Sequence, residues 1–180
     1  MRHAVILLIA ILAIIHAVLA KPLLPNGYYR IYSGNSHHPP SNRYFTGKPD
    51  NRAGSVTLEP NSTSSLQVWR LRNHSSGYVS LELRGGNKKY LSEGRSGALP
   101  GAHVGVTEKQ QKWKIAKVAG GSFTRYTLTF PRKVFNKTLV VSTSTGSLDP
   151  KRVSFQNEDK PEVTKAWKFA RYTLPTTEEI

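Results

Sequence analysis

The side chains with the chemistry to hold a partner are basic, and they fall in two settings. The first is a pair of loops rich in Gly and Pro. Gly47-Lys48-Pro49-Asp50-Asn51-Arg52-Ala53-Gly54 offers Asn51 and Arg52, and the stretch from Glu93 to Gly101 offers Arg95. An Arg on an exposed, extended loop is what a trypsin-like specificity pocket takes, through a buried acid at its base. A third loop, Ser33 to Asn42, has the reach to enter a cysteine-protease cleft. In the second setting a basic residue directly follows each tryptophan: Arg70, Lys114 and Lys168, with Arg72, Lys112, Lys117 and Arg171 close by. Cations gathered in this way attract sulfate, phosphate or carboxylate groups, and such binding weakens with salt.

Catalysis finds little to work with. His37-His38, His74 and His103 show no metal-ligand spacing, and no Gly-x-Ser-x-Gly elbow or phosphate loop occurs. With 11 Asp and Glu in 180 residues, paired carboxylates for glycoside hydrolysis have few candidates. The absence of cysteine removes disulfides, thiolate metal sites and a cysteine nucleophile together. The sequence therefore reads as non-enzymatic, with no cofactor and no metal. Its 26 Lys and Arg give a net charge of +15, which favours acidic partners. Few aromatics accompany the basic residues, which disfavours nucleic acid, since single strands are held by stacking.

Met1-Arg2-His3 precedes an apolar run from Ala4 to Ile15 and the small-residue site Val18-Leu19-Ala20, the pattern of a signal peptide over residues 1–20. The run is shorter than the roughly 20 apolar residues that a spanning helix needs. The expectation is a secreted, extracellular protein, free of the membrane once the leader is removed. On that route Asn61-Ser62-Thr63, Asn73-His74-Ser75 and Asn136-Lys137-Thr138 become N-glycosylation sequons, which places all three asparagines at the surface.

The elements that must carry these residues follow from a repeat. Gln67-Val68-Trp69-Arg70-Leu71 returns as Gln111-Lys112-Trp113-Lys114-Ile115 and as Lys165-Ala166-Trp167-Lys168-Phe169. In each copy apolar and basic residues alternate, as in a strand with one buried and one wet face. Ahead of each lie three more strand patterns. The first holds Tyr29 and Ile31, Val79 and Leu81, or Tyr126 and Leu128; the second lies around Tyr44-Phe45, Tyr90-Leu91 or Leu139-Val141; the third begins at Val56, Val104 or Val153. From the first anchor to the third the distance is 27, 25 and 27 residues. A four-strand unit with one apolar face cannot stand alone, but three can close on a common axis. This predicts an all-β chain of twelve strands in three four-strand repeats, about 26–74, 75–120 and 121–172, within one domain over 21–172. The tail 173–180 is expected to be disordered and the protein monomeric.

With these residues in place the chain resembles the β-trefoil superfamily from about Asn26 to Tyr172. Gln67-x-Trp69 and Gln111-x-Trp113 are similar to the strands of ricin-B-type lectins. In those lectins the sugar is held by an Asp early in each repeat, and here the matching strands read Tyr44-Phe45-Thr46, Tyr90-Leu91-Ser92 and Leu139-Val140-Val141, without it. Gly27-Tyr28-Tyr29-Arg30-Ile31, Val68-Trp69-Arg70-Leu71 and Tyr126-Thr127-Leu128 resemble the fungal β-trefoil protease inhibitors, the mycocypins and mushroom serine-protease inhibitors. That resemblance implies a protease inhibitor, acting on a secreted or host protease by inserting a loop. The loop holding Asn51 and Arg52 matches in position the one that carries the reactive residue in the serine-protease inhibitors, and Arg95 lies on its counterpart in the second repeat. The alternative is lectin-like binding of glycans or acidic polysaccharide, through loops or through a basic face holding Arg70, Lys114 and Lys168.

Overall fold

The computed structural model describes residues 22–33, 42–50, 54–120, 123–143, 151–159 and 165–175. The strands are β1 Gly27–Ser33, β2 Arg43–Lys48, β3 Gly54–Glu59, β4 Trp69–Asn73, β5 Tyr78–Leu83, β6 Lys89–Glu93, β7 Val104–Thr107, β8 Trp113–Val118, β9 Arg125–Thr129, β10 Leu139–Thr143, β11 Lys151–Asn157 and β12 Lys168–Arg171. The twelve fall at the positions that the alternating pattern predicts.

Six of them close a barrel. β1 pairs with β4, β4 with β5, β5 with β8 and β8 with β9. The ring is completed where Tyr126 meets Trp167 and where β12 pairs with β1. A closed ring leaves no edge strand to recruit another chain. The other six form three hairpins, β2–β3, β6–β7 and β10–β11. These meet one another through β3–β7, β3–β11 and the His103–Ser154 bridge, and so cap one end of the barrel.

The tryptophans join the two layers. In each repeat the indole Nε1 donates to a carbonyl of that repeat's own hairpin: Trp69 to Phe45 O at 3.1 Å, Trp113 to Leu91 O at 3.0 Å and Trp167 to Val141 O at 2.9 Å. All three rings are fully buried among Ile31, Leu71, Leu81, Leu128 and the hairpin residues Phe45 and Phe155. The Gln that precedes two of them does not behave alike. Gln67 is buried and ties the preceding loop to the hairpin, donating to Pro60 O and Thr46 Oγ1 and accepting from Ser62 N. Gln111 is half-exposed and, among the described residues, donates to Lys112 O.

Where β3 meets β7, three glycines let backbones approach closely. A Cβ on Gly105 would stand 2.8 Å from Gly94 Cα and 3.1 Å from Gly54 O. None of these neighbours is a side chain that can turn away. Gly105→Ala is expected to cost about 1–3 kcal/mol through forced backbone shifts, read as a lower urea midpoint at unchanged slope.

Candidate functional site

Strand alternation sends Tyr29, Trp69 and Leu71 into the core, so Tyr28, Arg70 and Arg72 face out. The register sets Tyr28 opposite Arg70 and Arg70 opposite Glu82. At this end of the barrel the outward side chains border a cleft of about 550 Å³, lined among others by Asn26, Tyr28, Arg70, Arg72, Asn73 and His74.

A clamp shapes the cleft. Asn26 Oδ1 accepts from Asn73 N at 2.7 Å and from Asn73 Nδ2 at 2.8 Å, while the same Nδ2 donates to Leu24 O at 2.8 Å. On one side Arg72 is held by Glu82 at 3.3 Å. His74 Nε2 lies 2.8 Å from Ser80 Oγ. The Arg70 guanidinium stands 6.0 Å from the centroid of the Tyr28 ring, and among the described residues no carboxylate pairs with it. Arg171 stands beside Gly27, its Nη2 3.7 Å from where a Cβ of that glycine would lie. An aromatic face beside a guanidinium with no carboxylate partner among the described residues suits a ligand with an apolar ring face and an anionic substituent.

Burial, then the charges of Lys112 and Arg72, hold the His74 imidazole below its ordinary pKa. The fold thus favours the neutral ring, and on acidification the unfolded chain takes up the proton first. His74 therefore leaves stability untouched above about pH 6.5 and lowers it as pH falls through the folded value. Burial, with Arg152 adding to it, lowers His103 in the same direction. Denaturation midpoints at pH 7.5 and 5.5 are expected to separate less in His74→Gln than in the parent.

The residues singled out in the sequence divide. Arg70 and Lys114 are exposed on the outer barrel face, with Lys114 opposite Tyr78. Lys168 corrects the expected three-fold basic face. It occupies the equivalent outward position, opposite Tyr32, yet it is only 9% exposed. Its Nζ lies 3.9 Å from the Phe123 ring centroid and 5.8 Å from that of Tyr32, so aromatic rings cover it. Arg95 is exposed at a turn fixed by Gly97 N to Gly94 O at 3.0 Å, in a loop anchored by Gly101 N to Phe155 O at 2.8 Å. Asn51 and Arg52 lie outside the described residues, as do residues 34–41 of the Ser33–Asn42 loop, the leader and residues 176–180. Asn61 and Asn136 are exposed, whereas Asn73 is half-buried in the clamp. Sequence reasoning missed Tyr28 and His74. The available signal for Tyr28 was its odd phase against Tyr29 and Ile31 in the same strand.

Among solved structures the chain is similar to the designed three-fold symmetric protein ThreeFoil, with TM-score 0.63 and 18% identity over 81% of this chain and 99% of that one. The fold is a β-trefoil. The trefoil agglutinin of Rhizoctonia solani matches with TM-score 0.64 and 15% identity, over 85% of this chain and all of its own. A Polyporus squamosus lectin, solved bound to a human-type influenza-binding epitope, matches with TM-score 0.62 and 13% identity, over 83% of this chain and 50% of that one. No family model matches the sequence, and no curated protein does. At these identities the likeness is one of trefoil architecture.

Among the described residues no three His, Asp or Glu side chains are grouped to hold a metal ion, and no helix is long and apolar enough to cross a membrane.

Proposed function

We propose that this chain is a secreted, non-enzymatic, lectin-like protein that binds acidic glycans in the cleft beside Tyr28 and Arg70. One observation carries the reading: a half-exposed tyrosine ring in register with an arginine that no carboxylate neutralises among the described residues, at the mouth of a cleft shaped by the Asn26–Asn73 clamp. A sugar ring offers C–H groups to the aromatic face, and a uronate or sulfate offers two oxygens to the guanidinium fork. The trefoil likeness to an agglutinin and a lectin supports glycan binding over protease inhibition, which the sequence resemblance put first. The site differs from the ricin type, consistent with the missing Asp.

A glycan array carrying sulfated, uronate-bearing and neutral sugars tests the proposal. Retention of the acidic sugars, weakened at high salt, is the expected outcome. Retention of neutral sugars alone would contradict it. Tyr28→Ala is expected to weaken binding about tenfold, the equivalent of about 1.4 kcal/mol for one lost aromatic contact.

Protease inhibition stands as the second reading because Arg95 projects from a loop tied down by backbone hydrogen bonds. A preorganised loop loses little entropy on entering a cleft. Under that reading trypsin is inhibited at micromolar protein and Arg95→Ala abolishes the effect. Inhibition unchanged by the substitution removes Arg95 from the mechanism.

A further inference from the structure

The link between β9 and β10 contains a turn that the fold does not explain. Val134 N donates to Lys137 O at 3.0 Å, and Lys137 N to Val134 O at 2.9 Å, which leaves Phe135 and Asn136 at the two central positions. Both have positive φ, 50° and 59°, as in a type I′ turn. Asn is a favoured residue there. Phe is not, since a bulky side chain in the left-handed region is strained. Phe135 is also 82% exposed and stacks on no ring or cation among the described residues. Strain and an apolar ring in water thus coincide at one residue, and no contact among the described residues offsets them.

The turn is held firmly from one side. Lys137 Nζ pairs with Asp159 at 3.2 Å, and Glu158 N donates to Thr138 O at 3.0 Å. Between the turn and Glu158-Asp159 lies a cleft of about 250 Å³ that includes Asn136.

Asn136-Lys137-Thr138 is one of three sequons, and the structure separates them. Asn73 has its Nδ2 committed to Leu24 O and Asn26 Oδ1, so a sugar there would break the clamp. Asn61 Oδ1 accepts from Arg30 Nη1 at 2.7 Å, in an exposed stretch flanked by Pro60 and Ser62 with no aromatic residue adjoining it in sequence. Asn136 has an exposed side chain with an exposed ring directly beside it.

We propose that Asn136 carries an N-linked oligosaccharide whose first N-acetylhexosamine lies on the Phe135 ring. This rests on the secretory part of the proposed function and not on glycan binding at Tyr28. In the transfer, Asn136 Nδ2 attacks the anomeric carbon of a polyprenyl-diphosphate-linked oligosaccharide. A C–N bond forms, the C–O bond to the diphosphate breaks with its electron pair on the leaving polyprenyl diphosphate, and Nδ2 gives one proton to a base of the transferase. Attachment happens on the chain during translocation. The folded turn then determines what the sugar does: it covers the ring and removes apolar surface from water.

The full chain is expressed in a secreting eukaryotic host, and its sugars are located by peptide mapping. The expected result is a glycan on Asn136 and none on Asn73 in the secreted protein. Enzymatic removal of the glycan is expected to lower Tm by ~2–4 °C in the parent, and to leave Tm unchanged in Phe135→Ala. Secreted protein with a bare Asn136, or an equal loss of Tm in both proteins, overturns the inference. A chain retained inside the cell with no sugar at any sequon overturns it through its secretory premise, a failure that the cell fraction alone distinguishes.

Discussion

Trp113→Ala is expected to lower unfolding free energy by about 3–5 kcal/mol, the range for deleting a large buried ring. The Trp113 ring stacks on Phe155 at 5.9 Å, meets Phe130 edge-on at 6.0 Å and bonds Leu91 O at 3.0 Å. Its removal opens a cavity where barrel and hairpin cap meet and leaves a buried carbonyl unpaired, two penalties at one position. Against a total stability of about 5–15 kcal/mol, typical of a domain, the variant stands near the edge of folding. Trp113→Phe keeps most of the packing and loses the hydrogen bond, so a smaller cost of about 1–3 kcal/mol is expected. Guanidinium midpoints for the two variants measure both. A loss below 1 kcal/mol for the alanine variant would show that this tryptophan does not pin the cap to the barrel.

Arg70→Glu carries the largest expected effect on binding. The guanidinium lies beside the Tyr28 ring without a carboxylate partner among the described residues, so its charge is available to an anionic sugar. Reversal removes a charge-assisted hydrogen bond, worth about 1.5–3 kcal/mol, and adds repulsion, so affinity for an acidic glycan is expected to fall at least ~10–100-fold. Arg72→Gln is expected to do less, because Glu82 already takes part of that charge. Lys168→Gln is expected to leave affinity unchanged, since its ammonium lies under Phe123 and Tyr32. Equilibrium titrations at two salt concentrations give all three, and the parent's salt dependence is expected to flatten in Arg70→Glu. Equal losses for Arg70→Glu and Lys168→Gln would point to diffuse attraction by the net charge.

The strands were legible because alternation and threefold recurrence agree: Tyr29, Val79 and Tyr126, then Ile31, Leu81 and Leu128, are buried as their spacing predicts. Burial of the three tryptophans followed from the same phase. The site was legible only in part. Alternation tells which way a side chain leaves the strand but not what folds over it. Lys168 was therefore grouped with Arg70 and Lys114, although Phe123, from the segment before β9, lies across it. Tyr28 was hidden because it adjoins the inward Tyr29 in a strand with three tyrosines, where composition does not tell an outward ring from an inward one. Gln67 and Gln111 share a motif and differ in role, because only Gln67 has a preceding loop that turns back to reach its amide. The strain at Phe135 comes from backbone handedness, which composition does not record.

Chemical-shift mapping of the 15N-labelled protein, titrated with a short sulfated oligosaccharide, tests the central claim most directly. Binding in the proposed cleft is expected to move the amides of Asn26 to Tyr28 and Arg70 to His74. It is also expected to raise the pKa of the His74 ring, since a bound anion favours the imidazolium against Lys112 and Arg72. Shifts confined to the Arg95 loop or to the turn at Asn136, or no shifts at millimolar sugar, would contradict glycan binding at Tyr28 and Arg70.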